Sequence, residues 1–403
     1  MPPMVPRIPE MDLISVIGIV SFLGLCYFFH TNIHIFIYMP YLMLRISYDY
    51  THYLLVFLWQ CLCVIPYFMY LYTNLIALTA ELDTRNMKVI DLINDNNSKP
   101  FSFEVLPPLK GNGTAQLFNT IDRLKAFEPR YINITTHRSE FVYKDLGNGL
   151  MQRQRVRRRP GTIAIAAAIQ QRYGIPVVPH IVCSGHTRED LEYMLLDLQF
   201  LGISDLLVLR GDKAKEDHMF QPTDDGPSHA IELIEQINEF NVGRFFDGTE
   251  IKCPGEHFRY GVACYPEKHE EAANMESDMA VLKRKVELGA EYAVTQLFYD
   301  NDKYFAFVER ARQEGIDIPI IPGIKPLAKL NQLSIVPKIF HCDLPETLYR
   351  EAVKCKSDEE IKQVGIEWAV AQCRELLQKG APNLHFYTVS AVDSICEIAK
   401  RIY

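Results

Sequence analysis

From residue 87 onward the chain repeats one unit: a short apolar stretch without strict alternation, a turn, then a helical pattern. A strand that is apolar on both faces must be covered on both, which is the condition of a parallel sheet wrapped in helices. Strands read at 101–106, 131–136, 176–183, 206–209, 260–265, 292–299, 318–324 and 383–389. Helical patterns fall at 115–127, 162–173, 188–202, 231–240, 273–288 and 303–314, then in stretches up to 378 and at 394–402. The punctuation agrees. Pro107 and Pro108 end the first strand, Thr114 and Thr187 stand where helix caps belong, and Gly289 and Gly315 close helices. Eight strand–helix units predict an α/β fold, a (β/α)8 TIM barrel over 87–403. The rival, an open doubly wound sheet, wants a glycine-rich dinucleotide loop after its first strand. Gly111-Asn112-Gly113 runs on into Thr114-Ala115-Gln116, so that fingerprint fails. A long polar loop is expected before the helix at 162, and the connection 241–258 is longer than the pattern requires.

Barrel chemistry collects at the carboxyl ends of the strands. There the sequence places Glu104, then Thr135, Thr136 and His137, then His180, then Arg210, Gly211 and Asp212. Further round come Tyr265, Glu267 and His269, then Gln296, then His385, Tyr387 and Thr388. Arg210-Gly211-Asp212 is the most pointed of these, because the apolar run 206–209 stops on it abruptly. Each has a bland alternative. Inward polar groups in barrels are often buried and satisfied, a single histidine is more often packed than ligating, and Arg-Gly-Asp is compatible with a plain turn. His180, Cys183 and His186 match no common metal spacing, so no metal is expected. The arginines at 153, 155, 157, 158 and 159 read as a solvated loop, or as a helix start touching a phosphate.

The net charge of −8 gives no reason to expect a nucleic-acid partner. Ten cysteines without a CxxC pair suit free thiols in a reducing cytoplasm. Residues 1–86 are of another composition, with no Asp, Glu, Lys or Arg in 13–44 or 51–80. The stretch 54–78 could span a bilayer as a helix. Yet alanine is nearly missing and Gly18 and Gly24 are the glycines there, whereas membrane helices pack through small residues. The favoured reading is a start placed too early, with Met87 as the alternative. Membrane association is expected only if 13–80 is genuinely translated, in which case a membrane-anchored binding module without catalysis is the rival function.

Taken in order, several motifs resemble the methylenetetrahydrofolate reductase family. They are Phe103-Glu104 followed by Pro107-Pro108, Pro179-His180, Leu209-Arg210-Gly211-Asp212, Tyr265-Pro266-Glu267 with His269, Lys283-Arg284-Lys285, and Thr295-Gln296. The match runs from about 100 to 390, and its length resembles the short bacterial type. The resemblance implies a barrel that binds FAD and reduces 5,10-methylenetetrahydrofolate to 5-methyltetrahydrofolate with NADH or NADPH, in ping-pong hydride transfer. It also implies a folate as the small-molecule partner and, as an expectation, a cytoplasmic homo-oligomer. Proline dehydrogenase, a related flavin barrel, lacks the Phe-Glu and Pro-Pro opening.

Residue by residue, the resemblance makes Glu104 the general acid and Asp212 the carboxylate near flavin and folate. Flavin contacts fall on Thr135, His180, Arg210, Gly211, Asp212, Tyr265, His269, Ala272, Asp278, Arg284 and Lys285. Gln296 and Gln332 fall on substrate contacts. The physics of the residues adds two expectations. Apolar neighbours of Glu104 should raise its pKa by desolvation, and an ionised Asp212 should raise it further. Arg284 and Lys285, together on one helix, should suit a pyrophosphate. The match departs at Thr136-His137-Arg138, where a small glycine-containing turn is common, at Val281, where a polar flavin contact is usual, and at Ala391, where an arginine meets the folate tail.

Overall fold

The computed structural model describes residues 88–403 apart from 214–216, 218 and 390. The expectations for 1–86, and the alternative start at Met87, lie outside the described residues. No helix among the described residues is long and apolar enough to cross a membrane.

The chain enters through helix α1 (Val89–Asn94) and then alternates as the pattern predicts. The wall is built by β1 (Phe101–Val105), β2 (Ile132–Ile134), β5 (Val177–Val182), β6 (Asp205–Leu209), β7 (Arg259–Cys264) and β8 (Tyr292–Thr295), then β9 (Ile320–Ile321), β10 (Gly323–Ile324) and β11 (Leu384–Tyr387). Their order is β10-β11-β1-β2-β5-β6-β7-β8-β9, with parallel pairing throughout. The two ends of that order, β9 and β10, are one stave interrupted at Pro322, which has no N–H to give the ladder. The sheet therefore closes on itself as eight staves. Outside it lie α2 (Ala115–Leu124), α3 (Thr162–Tyr173), α4 (Arg188–Phe200), α5 (Ala230–Asn241), α6 (Met275–Glu287) and α7 (Asn301–Gln313). The last inter-strand connection carries α8 (Gln332–Phe340), α9 (Glu346–Ala352) and α10 (Asp358–Gln378), and α11 (Val392–Ile402) ends the chain.

The main core lies between sheet and helices. Phe101, Phe103 and Val105 of β1 point outward into it, with Ile132, Ile134, Leu206, Val208 and Phe386. Period-two geometry then turns Ser102 and Glu104 inward. The lower interior is apolar: Tyr131, Val178, Leu207, Tyr292, Val294 and Ile321 meet Val89 and Ile93 of α1, which plugs that end. The middle is polar. Ser102 Oγ lies 3.0 Å from His385 Nδ1, Asn383 donates to Ser102 at 2.7 Å, and Asn133 lies 3.2 Å from His180 Nε2.

Three expectations need correction or completion. The supposed polar loop before α3 contains an antiparallel hairpin, β3 (Glu140–Gly147) and β4 (Leu150–Val156). Its turn is Gly147-Asn148-Gly149, with φ of 84°, 52° and 75°, and such Asn-Gly turns match strand twist. Charged and amide residues on the exposed faces hid the strands, and Arg153 lies on one of them. The helix preceding β1 was not anticipated, because six residues are too few to read by periodicity. Finally, the long connection 241–258 folds into a small lobe. The backbones of Arg244 and Glu250 pair in a single antiparallel bridge, and Phe245 packs edge-on against Phe240 at 6.1 Å, extending the outer core.

Candidate active site

Every wall strand ends at the same rim, and the helices that follow start there. Thr187 and Asp190 form a reciprocal capping box at the head of α4, each bond 3.0 Å, and Asn274 with Ser277 does the same for α6. Thr114 stands before α2 as expected, but its side chain makes no cap bond.

The residues that the family resemblance assigned to the flavin fall on four adjacent staves, β2, β5, β6 and β7, with their loops and helix α6. Thr135 follows β2, its hydroxyl 3.4 Å from the Val105 carbonyl. His180 of β5 is buried beside Asn133, and burial together with nearby His137 pushes it down to about 3, so the ring is neutral. After β6, Gly211 has a φ of 84°, and a Cβ there would stand 2.8 Å from Ser184 Cβ and 3.2 Å from Val182 Cβ. Only glycine fits that backbone. It turns Arg210 toward Glu271, to which Arg210 is paired, and over the Phe220 ring at 4.7 Å. Asp212 is exposed, and its carbonyl accepts from Ser184 Oγ at 2.9 Å.

On the β7–α6 loop, Tyr265 and His269 stack edge to face at 4.7 Å. An Asp278 carboxylate oxygen accepts from the His269 N–H at 2.9 Å, and the Ala272 carbonyl accepts from Lys268 Nζ at 2.7 Å. Burial holds His269 below its ordinary value and Tyr265 well above its own, with Arg210 and Asp278 acting on both. Arg284 and Lys285 do not converge. Lys285 is buried, donates to the Ala263 carbonyl at 3.3 Å, and is lowered by that burial. Arg284 is half exposed on the outer side of α6, 3.8 Å from Glu235 and 3.5 Å from Glu287. Helical neighbours sit about 100° apart, so adjacency in sequence put them on different faces.

The remaining site residues lie on the other staves. Glu104, the last but one residue of β1, is partly accessible at the mouth, and burial pushes its carboxyl up to about 7. Desolvation was expected, but a contribution from Asp212 was not found. The charge acting on Glu104 is the Lys325 ammonium, and it pulls the other way. The Asp212 carboxylate adds instead, as the smallest contribution, to the rise of Tyr265 on the neighbouring stave. Sequence reasoning named no polar residue at the end of the seventh stave. The signal was available, since Lys325 directly follows the apolar run 318–324. Gln296 follows β8, its backbone N–H bonded to the Cys264 carbonyl at 2.8 Å and its side-chain oxygen accepting from Leu297 N–H at 2.9 Å. Gln332, at the head of α8, accepts from Ala328 and Lys329 N–H at 2.6 and 2.9 Å, so its oxygen holds the loop. Ala391 is buried and Val281 is exposed. Among the described residues no group of three or more His, Cys, Asp or Glu could hold a metal ion.

Arg210, the neutral His180 imidazole and the Tyr265 ring come from the adjacent staves β5 to β7, with Lys285 buried against the Ala263 carbonyl of β7, a set of groups whose chemistry suits a flavin dinucleotide. Glu104, Asp212 and Gln296 all stand at the rim.

Fold and site together define a (β/α)8 barrel whose rim gathers Arg210, Asp212, Tyr265 and His269 from adjacent staves and, on β1, a carboxyl that burial raises to about 7. The chain belongs to the methylenetetrahydrofolate reductase family, whose model matches residues 88–403. Methylenetetrahydrofolate reductase (NADH) 1 of Arabidopsis thaliana is 30% identical over 329 residues, 78% of this chain and 51% of that protein. The 5,10-methylenetetrahydrofolate reductase of Escherichia coli K12 is 28% identical over 297 residues, 72% of this chain and 86% of that protein. The chain thus spans about half the length of its plant relatives. Among solved structures, an uncharacterized protein from Clostridium thermocellum that binds two copies of 5-methyl-5,6,7,8-tetrahydrofolic acid aligns with a TM-score of 0.47 at 14% identity, covering 78% of this chain and 99% of that one. The barrel rests on the strand order itself.

Proposed function

We propose that this chain reduces 5,10-methylenetetrahydrofolate to 5-methyltetrahydrofolate with NADH or NADPH through bound FAD, serving one-carbon metabolism and methionine synthesis. One observation carries the reading: a carboxyl at the barrel mouth, Glu104, raised by burial to about 7. The folate's five-membered ring opens only if N10 takes a proton, and a group near half-protonation at neutral pH is suited to giving one.

The chemistry FAD supplies when bound is hydride transfer in two halves, from reduced nicotinamide and then to the one-carbon unit, the two substrates using one site in turn. Thr135, His180, Gly211 and Tyr265 would hold it along the cradle, with Arg210 and Lys285 answering its phosphates. His269, Ala272 and Asp278 keep the β7–α6 loop in shape for that contact. Arg284 would reach it only after leaving Glu235 and Glu287. Glu104 protonates N10, Asp212 faces the iminium cation that results, and Gln296 orients the pterin. Gln332 keeps its amide nitrogen for the substrate, its oxygen being engaged.

The test separates the halves by anaerobic stopped-flow. Glu104→Gln should leave flavin bleaching by NADH near the wild-type rate. Reoxidation by the folate should fall by about 10²–10⁴, the range for a lost general acid. Equal loss of both halves would refute the assignment of Glu104.

A further inference from the structure

The barrel mouth holds a second charged group that the family motifs do not include. In the register of β11, Glu104 lies level with Tyr387, and Ile324 lies level with Phe386. Lys325 is the next residue after Ile324, so it stands level with Tyr387 and thus with Glu104, two staves round the wall. The facing is set as well. A Cβ on Gly323 would meet the Tyr387 hydroxyl and ring at 2.6 Å, so Gly323 faces the interior, and Lys325, two residues on, faces it too. Tyr387 lies across this gap and donates to the Thr295 carbonyl at 2.6 Å. Lys325 Nζ donates to the Val389 carbonyl at 3.0 Å, which holds the ammonium at the rim.

We infer that Lys325 is a positioning residue for the acid Glu104: its ammonium stabilises the carboxylate that Glu104 becomes after giving up its proton. This rests on the reading of Glu104 as proton donor. Proton transfer to N10 leaves an anion at a half-buried position, where desolvation disfavours the charge and an opposite charge nearby offsets that cost. Among the described residues, the neighbours of Glu104 on the two adjoining staves are neutral. Tyr387 from β11 is a phenol held well above its ordinary value, first by burial and then by Glu104. His385, one row deeper, is pushed by burial to about 3. From β2 the neighbour in register is Asn133, which does not titrate. Glu104 is raised by burial and lowered by Lys325, and Lys325 in turn is lowered by burial and raised by Glu104. The two therefore support each other's charged forms.

The test follows the Glu104 carboxyl itself, by the infrared carbonyl band that disappears in Glu104→Gln, titrated in the purified full-length protein. Lys325→Met should move the midpoint up by about one pH unit or more, the scale of one lost opposite charge. Lys325→Gln should do the same while keeping a donor for the Val389 carbonyl, and it serves if the Met variant does not fold. Lys325→Arg should keep the wild-type midpoint. In the folate half-reaction the alkaline limb should move by the same amount, and the plateau should fall about threefold, and at most about tenfold, per unit because the acid is weaker. A midpoint unmoved in both neutral variants, or moved as far by Arg as by Met, would overturn the inference. Failure of the underlying reading is a separate outcome, seen when Glu104→Gln still reduces folate whatever Lys325 does.

Discussion

Single residues at the rim are constrained by backbone as much as by chemistry. Gly211 joins a left-handed φ to a wall of Ser184 and Val182 atoms, so any side chain must displace the end of β5. Gly211→Ala should cost on the order of 2 kcal/mol in urea unfolding, from strain and overlap together. It should also weaken FAD retention, since Arg210 and Asp212 flank the same turn. If unfolding is unchanged, the position is not strained. The same reasoning explains why Arg210-Gly211-Asp212 was conspicuous in sequence. An apolar strand that stops on a cation, a glycine and a carboxylate leaves two charges where water or a ligand must meet them.

Among the elements, α1 shows how little sequence a necessary part requires. Its six residues bring Val89 and Ile93 to the floor of the barrel, but a helix of that length has no stability of its own. Buried Arg130 supplies the anchor. Its guanidinium donates to the carbonyls of Ile93 and Pro382 at 3.0 and 2.9 Å, to Ser98 Oγ at 2.9 Å, to the Ser98 carbonyl at 3.1 Å, and to that of Asp95. Arg130→Met should cost on the order of 3 kcal/mol, because it leaves buried carbonyls unpaired. Hydrogen exchange should localise the loss to 88–99, and global exchange without local opening there would contradict the anchor. The hairpin β3–β4 is the opposite case. It is long, with a register shift between Asp145 and Gly147, and leaves Tyr143, Leu146, Leu150 and Met151 exposed.

At the scale of the whole molecule, the polar interior ties stability to pH. His180 and His385 are both buried and pushed to about 3, against an ordinary value of 6.5. Below about 6.5 the unfolded chain binds protons that the folded chain refuses, so stability present above that pH is lost as pH falls toward 3. The slope is on the order of 1.4 kcal/mol per histidine per pH unit. Urea midpoints at pH 7, 5.5 and 4.5 should fall steeply, and His385→Gln should flatten the decline. Glu104 acts in the reverse sense. Raised from 4.5 to about 7, it takes stability away as pH climbs through that window. The alternation of apolar strands and capped helices by itself determined a parallel sheet wrapped in helices, because strands apolar on both faces must be covered on both, and the missing glycine-rich loop after β1 favoured the closed barrel over the open sheet. The residue types at strand ends likewise determined the list of rim candidates, Glu104 and Arg210 among them. Tertiary structure alone decided which of these meet. Closure of the sheet sets Lys325 level with Glu104 across two staves and 221 positions of sequence, and brings Asp212 and Tyr265 to the ends of neighbouring staves. Charge acts through distance and desolvation, and neither quantity is written along the chain.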